Sequence, residues 1–289
     1  MNARNLFRNL TGALALSLLS LLPALRATAQ DSAYTHYAGA ANISGNSTYL
    51  DNPFINANPK ATLMVTPSVN PYNQGSIIDA HNLGVWYDNG RQRWAIFHQD
   101  GASMTVGAAY NVWANVNNTA TGFVHKAAAP IGKYTYIDNP NTNLNPNAVL
   151  YVTQLWNPYG FGGVYNDAPI GVFYDSGRGQ WAIQNVVSRT MPVGAAFFVF
   201  VDTVNLHKAT PSNTFGSYTQ LDDPWSITYN SALTFVTINA TPRGIAAPLD
   251  QHAVGVKFIS GWNEWSILNM DGAAMPLGAN FNTKQMFTH

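Results

Sequence analysis

The chain of 289 residues contains no cysteine and few charged residues, and both shortages exclude classes of protein. Without cysteine there is no disulfide framework, no zinc–thiolate site and no thiol nucleophile. Charged side chains make up 10% of the chain, against about a quarter in typical soluble proteins. The polar surface must therefore consist mainly of amides and hydroxyls, which form hydrogen bonds but few ion pairs.

Motifs for catalysis and for phosphate binding are also missing. Glu264 is the single glutamate, and no G-x-S-x-G, H-E-x-x-H or phosphate-binding glycine loop is present. No basic patch is available to neutralise phosphates, which excludes nucleic acid as a partner. Thirteen aspartates remain, so a carboxylate pair that hydrolyses a polysaccharide is kept as a third alternative. We expect a protein that is not an enzyme.

Residues 1–29 have the pattern of a secretory signal peptide. Arg4 and Arg8 precede an apolar run from Leu10 to Leu22, and Ala27-Thr28-Ala29 forms a cleavage site. The apolar run is too short to span a bilayer, so we expect no transmembrane segment in the mature chain. Cleavage leaves 11 basic residues against 14 acidic ones, a net charge of −3. Export without cysteine favours a bacterial protein that is secreted or held at the cell surface, with the periplasm as the alternative.

A hairpin pattern occurs three times. Each copy begins with Gly-Val, continues to an aromatic residue, and reaches a tryptophan after six further residues. The three tryptophans, Trp94, Trp181 and Trp265, are spaced by 87 and 84 residues. A fixed period of this kind indicates a repeat architecture. We predict three homologous units over residues 34–119, 120–205 and 206–287.

Each unit consists of strand and turn patterns. Runs of β-branched and aromatic residues alternate with Asn-Pro and Asp-Asn-Pro turns, and the mature chain has no capped segment with a helical apolar period. The sequence predicts an all-β fold of three tandem β-sandwich or barrel-like modules packed together. A single closed β structure with pseudo-threefold symmetry is the alternative.

Comparison of the three hairpins separates core positions from surface positions. Val85, Tyr87 and Trp94 stay apolar in every copy, whereas Trp86 is replaced by Phe173 and by Lys257. Because side chains alternate along a strand, Trp86 is expected on the outer face. The polar residues His98, Asn185 and Asn269 continue the inward face. We expect each to bond to a loop backbone or to line a pocket at the end of the hairpin.

Exposed aromatic residues beside amides are the main candidates for a binding site, because such rings stack on sugars while amides bond the hydroxyls. Trp113 and Trp262 are also expected at the surface. The candidate ligand-binding residues are Trp86, His98, Trp156, Asn157, Tyr159, Asn185, Trp225 and Asn269.

Two recurring sets of residues are candidates for metal sites. The equivalent histidines His36, His125 and His207 can converge on a metal only in the closed threefold arrangement, and a hydrogen bond to a neighbouring turn is the favoured interpretation. The aspartates Asp51, Asp138 and Asp222 precede Pro-containing turns, which is typical of an Asx turn, with calcium as the alternative. We predict no cofactor apart from this calcium alternative.

Several short motifs lie along the units: Gly-Val-Trp-Tyr at 84–87, Trp-Ala-Ile at 94–96, Asn-Pro-Asn-Ala at 145–148, Trp-Asn-Pro at 156–158 and Met-Pro at 191–192. In these motifs the chain resembles a family of secreted bacterial proteins built from tandem β modules rich in Trp and Asn. Unit one departs from the shared motifs at Thr105, where the other units have proline, and unit three lacks the Asn-Pro turn. The resemblance implies no activity.

Together these patterns favour a secreted, non-enzymatic binding protein that recognises glycans at the cell surface or in the matrix. The alternative is a structural or adhesive envelope protein that associates with copies of itself.

Overall fold

The computed structural model describes residues 32–115, 122–202, 205–221 and 229–287. In these ranges the regular structure consists of strands and of three single turns of 3-10 helix, so the all-β prediction is confirmed. No helix there has the length and apolar character needed to span a bilayer. The predicted signal peptide and Trp225 lie outside the described residues.

The strands recur in the same order in each unit. Unit one contains β1 (Ser32–Tyr37), β2 (Ile43–Ser44), β3 (Ser47–Tyr49), β4 (Thr62–Val69), β5 (Leu83–Asp88), β6 (Arg93–His98) and β7 (Ala109–Asn115). Unit two contains β8 (Gly122–Lys126), β9 (Tyr134–Tyr136), β10 (Val149–Leu155), β11 (Ile170–Asp175), β12 (Gln180–Asn185) and β13 (Ala196–Asp202). Unit three contains β14 (Leu206–Lys208), β15 (Thr214–Phe215), β16 (Tyr218–Gln220), β17 (Ala232–Asn239), β18 (Val254–Ile259), β19 (Glu264–Asn269) and β20 (Asn280–Phe287).

The described strands form three sheets, and each sheet combines strands of two units. Sheet 1 joins units one and two in the order β2-β3-β6-β5-β10-β13-β8. Sheet 2 joins units two and three in the order β14-β20-β17-β11-β12-β9. Sheet 3 joins units three and one in the order β1-β7-β4-β18-β19-β16-β15. The tandem units are packed together as predicted, and each pair of units shares one sheet in a pseudo-threefold arrangement. The described strands form three open sheets and no closed barrel, so the single closed structure is not found.

The junctions between units are parallel strand pairs. In each, the long strand of one unit lies beside the first hairpin strand of its neighbour: β10 beside β5, β17 beside β11, and β4 beside β18. The other described pairings within the sheets are antiparallel. Each hairpin therefore lies in the same sheet as the long strand of a neighbouring unit.

Three threonines link the long strands around the pseudo-threefold axis. Each hydroxyl oxygen accepts a hydrogen bond from a backbone N–H of another unit. The pairs are Thr153 with Val65 at 3.0 Å, Thr237 with Val152 at 3.1 Å, and Thr66 with Val236 at 3.3 Å. These bonds run from unit to unit and return to the first, so every unit contacts both of the others.

The repeated tryptophans explain why the hairpin and the Asn-Pro turn recur together. Trp94, Trp181 and Trp265 are fully buried. Each indole Nε1 donates to the carbonyl found 36 residues earlier, at distances of 2.9, 2.9 and 3.1 Å. In units one and two that carbonyl belongs to the residue before proline, Asn58 or Asn145. The tryptophan thus fills the core and fixes the turn.

The alternation of the hairpin is confirmed, with one correction elsewhere. Val85 and Tyr87 are buried, while Trp86 between them is half-buried on the outer face. Trp262 is exposed as expected, but Trp113 is buried. Trp113 lies on β7 and packs against Phe200 of unit two, with ring centroids 4.7 Å apart. Its prediction failed because single-unit patterns do not reveal a surface that a neighbouring unit covers.

Candidate functional site

A row of aromatic side chains crosses the outer face of sheet 1, at the junction of units one and two. Trp86 contacts Tyr49 and Trp156, with ring centroids 6.1 and 6.2 Å apart. Tyr165 contacts Trp156 and Phe97, at 5.8 Å in both cases. The parallel pairing of β10 with β5 brings the end of β10, and therefore Trp156, beside Trp86. We call these five residues the aromatic row.

The loop at 156–165 extends this row into solvent. Its side chains Tyr159, Phe161 and Tyr165 are 56%, 80% and 52% exposed. Gly163 packs on the indole of Trp156 so closely that a Cβ atom would lie 2.1 Å from the ring. The glycine lets the backbone of the loop approach Trp156.

Phe161 and Tyr165 were missed by sequence reasoning. The comparison of units could have revealed them, because these two positions are aromatic only in unit two. The equivalent positions are Gln74 and Ile78 in unit one, and Ile245 and Leu249 in unit three. The aromatic candidates Trp86 and Trp156 belong to the aromatic row, and Tyr159 is exposed in the adjacent loop.

Asn157, predicted to bind ligand, is buried and joins two units. Its amide oxygen accepts the N–H of Tyr87 at 2.8 Å, and its Nδ2 donates to the carbonyl of Tyr87 at 2.8 Å. The amide therefore continues the parallel ladder beyond Leu155. Thr241 has the same role in unit three, where its hydroxyl contacts the backbone N–H and carbonyl of Tyr174.

The three inward polar residues His98, Asn185 and Asn269 end the second hairpin strands and are fully buried. In each, one side-chain nitrogen contacts a carbonyl four residues later, at distances of 3.2, 3.0 and 3.3 Å. The expected bond to a loop backbone is confirmed. These side chains hold the turn that follows the hairpin.

Each of these residues also faces a second buried side chain, which differs between units. In unit one, Nε2 of His98 lies 2.9 Å from Oδ2 of Asp79. In unit two, Asn166 and Asn185 exchange two amide hydrogen bonds of 2.8 and 3.0 Å. In unit three, Oδ2 of Asp250 and Oδ1 of Asn269 are buried and have no hydrogen-bond partner among the described residues. We call these three pairs the inner pairs.

The pKa values of the two aspartates in the inner pairs are shifted in opposite directions. Burial of Asp79 favours the neutral carboxyl, but hydrogen bonds from His98 and Tyr110 and the charge of His98 outweigh it, so the pKa of Asp79 lies below its ordinary value. Burial raises the pKa of Asp250 to about 6. The hydrogen bonds from the backbone of His252 and from Asn269 lower this pKa, but they do not offset the effect of burial.

A second histidine lies against the inner pair of unit one. The rings of His81 and His98 stack with centroids 4.2 Å apart, and Nδ1 of His81 lies 2.7 Å from Oδ2 of Asp100. In the described part of the chain, Asp79, His81 and His98 bring together three donor atoms able to hold a metal ion, all within 4.8 Å of one another.

Sequence reasoning missed Asp79 and His81 in this cluster. Comparison of units again held the signal, because Asp-x-His recurs at 250–252 and the aspartate two residues after His98 recurs as Asp271.

A cavity of about 90 Å³ lies between the three long strands. Equivalent residues of all three units line it, including Thr66, Thr153 and Thr237. His81 and His252 also face it. The cavity therefore lies beside the cluster of Asp79, His81 and His98, and all three units contribute to its lining.

The other metal candidates bond within the fold. The ring Nε2 atoms of His36, His125 and His207 lie 2.7, 2.9 and 2.8 Å from threonine hydroxyls. Each histidine thus bonds to a neighbouring element as expected, but its partner lies on a strand rather than in a turn. Burial lowers the pKa of both His36 and His125 to about 4, so these two rings are neutral at pH 7.

The recurring aspartates are held by amides. Oδ1 of Asp51 accepts from Asn56 at 2.8 Å, and Oδ1 of Asp138 accepts from Asn143 at 2.7 Å. Asp222 lies outside the described residues. Calcium binding at these turns stays a prediction.

Comparison with known families identifies the repeats as copies of one domain. Residues 24–114, 84–201 and 171–284 each match the family described as a domain of unknown function, DUF7452. The chain belongs to this family. No curated protein matches the chain, and no solved structure does.

The DUF7452 matches overlap at residues 84–114 and 171–201, which hold the hairpin and last strand of units one and two. The second and third matches therefore each include strands that two neighbouring units contribute to one sheet. Tandem modules of one family are confirmed, while the unit boundaries drawn from the sequence stay a prediction.

Proposed function

We propose that this protein is a secreted binding protein that holds carbohydrate on the aromatic row and the adjacent loop, without catalysing a reaction. The observation that carries the proposal is the contact of the exposed Tyr165 with Trp156, which itself packs on Trp86, in a loop that also exposes Tyr159 and Phe161. Exposed apolar side chains grouped in one loop are typical of a binding surface.

The chemistry of this surface suits sugar rings. The faces of Trp and Tyr rings stack on apolar C–H faces, while phenol hydroxyls and amides form hydrogen bonds to hydroxyl groups. Trp86 is fixed before a ligand arrives, because its Nε1 donates to Oγ of Ser47 at 3.1 Å. A preorganised ring loses little conformational freedom on binding.

The charges near the aromatic row favour an uncharged ligand. Arg91 lies 4.5 Å from the ring centroid of Tyr49 and 3.1 Å from Oδ2 of Asp88, so its charge is paired. Such an arrangement leaves stacking and hydrogen bonding, rather than charge, to select the ligand. A neutral polysaccharide is therefore the ligand class we propose.

Export is part of this proposal. Cleavage after Ala29 gives a mature chain that begins at Gln30, and mass spectrometry of the exported protein measures that terminus. An intact N-terminus on the exported chain contradicts the signal-peptide prediction.

The decisive experiment compares variants on a polysaccharide array, followed by calorimetry with the ligand found there. The triple variant Tyr159→Ala, Phe161→Ala and Tyr165→Ala removes the exposed rings and is expected to weaken binding at least about tenfold, because aromatic stacking contributes about 0.5–1.5 kcal/mol per ring pair. The matched control is Ile245→Ala, which removes an equally prominent side chain at the position equivalent to Phe161. This control is expected to bind as the native protein does.

Two outcomes contradict the proposal. One is a native protein that binds no polysaccharide on the array. The other is a triple variant that binds as well as the native protein. Release of soluble sugars from the bound polysaccharide contradicts the non-enzymatic part and supports the hydrolase alternative.

Self-association is the second candidate, and a separate observation favours it. Val106, Val193 and Leu277 occupy equivalent turns and are 61%, 70% and 55% exposed. Exposed apolar side chains at three symmetric positions suit contacts with further copies of the chain. Sedimentation that depends on concentration, and that is lost when all three are changed to Ser, supports this alternative. Purely monomeric sedimentation at high concentration contradicts it.

A further inference from the structure

In the cluster of Asp79, His81 and His98, the second ring nitrogen of each histidine also has a hydrogen-bond partner. Nδ1 of His81 lies 2.7 Å from the carboxylate of Asp100, and Nδ1 of His98 lies 3.2 Å from the carbonyl of Ala102. Each acceptor places the ring proton on Nδ1, which directs Nε2 toward another ligand. Histidines that bind metals are usually held in this way, by a carboxylate or a backbone carbonyl on the second nitrogen.

One short segment supplies most of this arrangement. Residues 98–102 carry the ligand His98 and both acceptors, Asp100 and the carbonyl of Ala102. The N–H of Ala102 in turn donates to Oδ1 of Asp100 at 2.9 Å, which fixes the carboxylate. Asp79 is also oriented, because Tyr110 donates to its Oδ2 and Thr105 donates to its Oδ1 at 3.3 Å.

We propose that unit one binds one divalent transition-metal ion of the zinc type through Asp79, His81 and His98. Two imidazoles and one carboxylate form a donor set that zinc accepts, with a fourth position left for water or a further ligand. Calcium is disfavoured because it prefers oxygen donors throughout. The cavity that His81 lines provides space beside the cluster.

The geometry requires a small movement of one ligand. Two ligand atoms of a tetrahedral zinc ion lie about 3.3 Å apart, because each bond is about 2 Å long. The three donor atoms lie within 4.8 Å of one another, so closing the site takes a shift of up to about 1.5 Å. His81 can move, because it is partly exposed and lies in an irregular stretch before β5.

The other two units are built-in controls. Unit two has Asn166, Ala168 and Asn185 at these positions and offers no imidazole. Unit three keeps Asp250, with His252 lying 2.7 Å from Asp271, but has Asn269 where unit one has His98. The expected stoichiometry is therefore one ion per chain, bound in unit one.

The test uses the full mature chain, treated with EDTA and dialysed, and titrated with Zn²⁺ by calorimetry. The native protein is expected to bind one ion per chain. His81→Ala should weaken binding at least about tenfold, since even outer partners of metal ligands are worth about 10–100-fold. The matched control His252→Ala should bind as the native protein does.

A second variant separates metal binding from folding. The double variant Asp79→Asn and His98→Asn gives unit one the amide pair that unit two already uses, and is expected to lose zinc while keeping a native circular dichroism spectrum. Absorption bands of bound Co²⁺ report the same loss. The proposal is overturned if the native protein binds no zinc, if His81→Ala binds as tightly as the native protein, or if His252→Ala weakens binding equally. The His81 and His252 comparison decides the matter even if the double variant does not fold.

Discussion

Units one and three place an aspartate at the same buried position, and the two carboxyls differ because their partners differ. Oδ2 of Asp79 lies 2.9 Å from Nε2 of His98 and accepts a hydrogen bond from Tyr110. Oδ2 of Asp250 is buried and has no hydrogen-bond partner among the described residues. The pKa of Asp79 is lowered, and that of Asp250 is raised to about 6. The same scaffold position therefore stabilises an ionised acid in one unit and penalises it in another.

Unit two shows the neutral solution to the same problem. Asn166 and Asn185 satisfy each other with two amide hydrogen bonds, so no charge is buried. The inner pairs thus form a natural series from ion pair to amide pair to unpaired acid. Substitutions that convert one member of the series into another test how far the partner alone determines each pair.

The largest expected effect follows from His98→Ala, which removes the imidazole partner of the buried Asp79. We expect a loss of about 3–5 kcal/mol in the free energy of unfolding at pH 7. Because the folded pKa of Asp79 is lowered, its stabilisation is present above the unfolded value of about 4 and is lost as the pH falls further. Urea unfolding from pH 3 to pH 8 measures the difference. A constant difference across this range contradicts the assignment.

The second prediction concerns Asp250→Asn, which gives unit three the amide pair of unit two. A raised folded pKa means that stability is fully present below the unfolded value and is lost as the pH rises through about 6. The variant should therefore be more stable than the native protein at pH 7, by up to about 3 kcal/mol, and no more stable at pH 4. Chemical unfolding at both pH values measures this gain. Equal stability of the two proteins at pH 7 excludes a buried, destabilising carboxylate.

The third prediction compares the inter-unit clamps. Asn157→Ala leaves the N–H and carbonyl of Tyr87 without their partner and should cost about 1–3 kcal/mol. Asn157→Thr introduces the residue that unit three uses at the equivalent position, Thr241, and should recover a large part of that loss. Thermal and urea unfolding rank the two variants, and an equal loss in both refutes the equivalence of the clamps.

The smallest effect is expected from the double variant Asp79→Asn and His98→Asn, measured without added metal. The amide pair of unit two occupies the same framework, so the free energy of unfolding should change by no more than about 1 kcal/mol. The coupling energy follows from comparison with the two single Asn variants, each of which should be less stable than the double variant. Additive losses show that the two side chains do not act as a pair.

The strand pattern could be predicted because it depends on local chemistry. Val85 and Tyr87 face inward and Trp86 outward through simple alternation, and the same alternation placed His98 in the interior. The aromatic row was only partly accessible, because Trp86 and Trp156 belong to different units and meet through the pairing of β5 with β10. Asp79 was missed because it lies in an irregular loop, where no periodicity indicates which side chains turn inward.

Asn157 illustrates the same limit from the other direction. Its place in a Trp-Asn-Pro turn suggested an exposed amide, yet the amide is buried against the backbone of the preceding unit. A turn residue is exposed within its own unit and becomes buried only when the hairpin of a neighbouring unit lies beside it. The three copies of one pattern reveal the unit, but not the contact between units.

The sequence alone determined the β-strands, the threefold repetition and the buried tryptophans, because alternation and composition act over a few residues. The tertiary structure decided how the units share sheets, because strand partners distant in the chain are selected by packing and hydrogen bonding together. It also decided which polar residues meet inside. Asp79 lies beside His98, and Asp100 lies beside His81. Oδ2 of Asp250 is buried with no hydrogen-bond partner among the described residues. All three arrangements arise from loops that the fold brings against the hairpins.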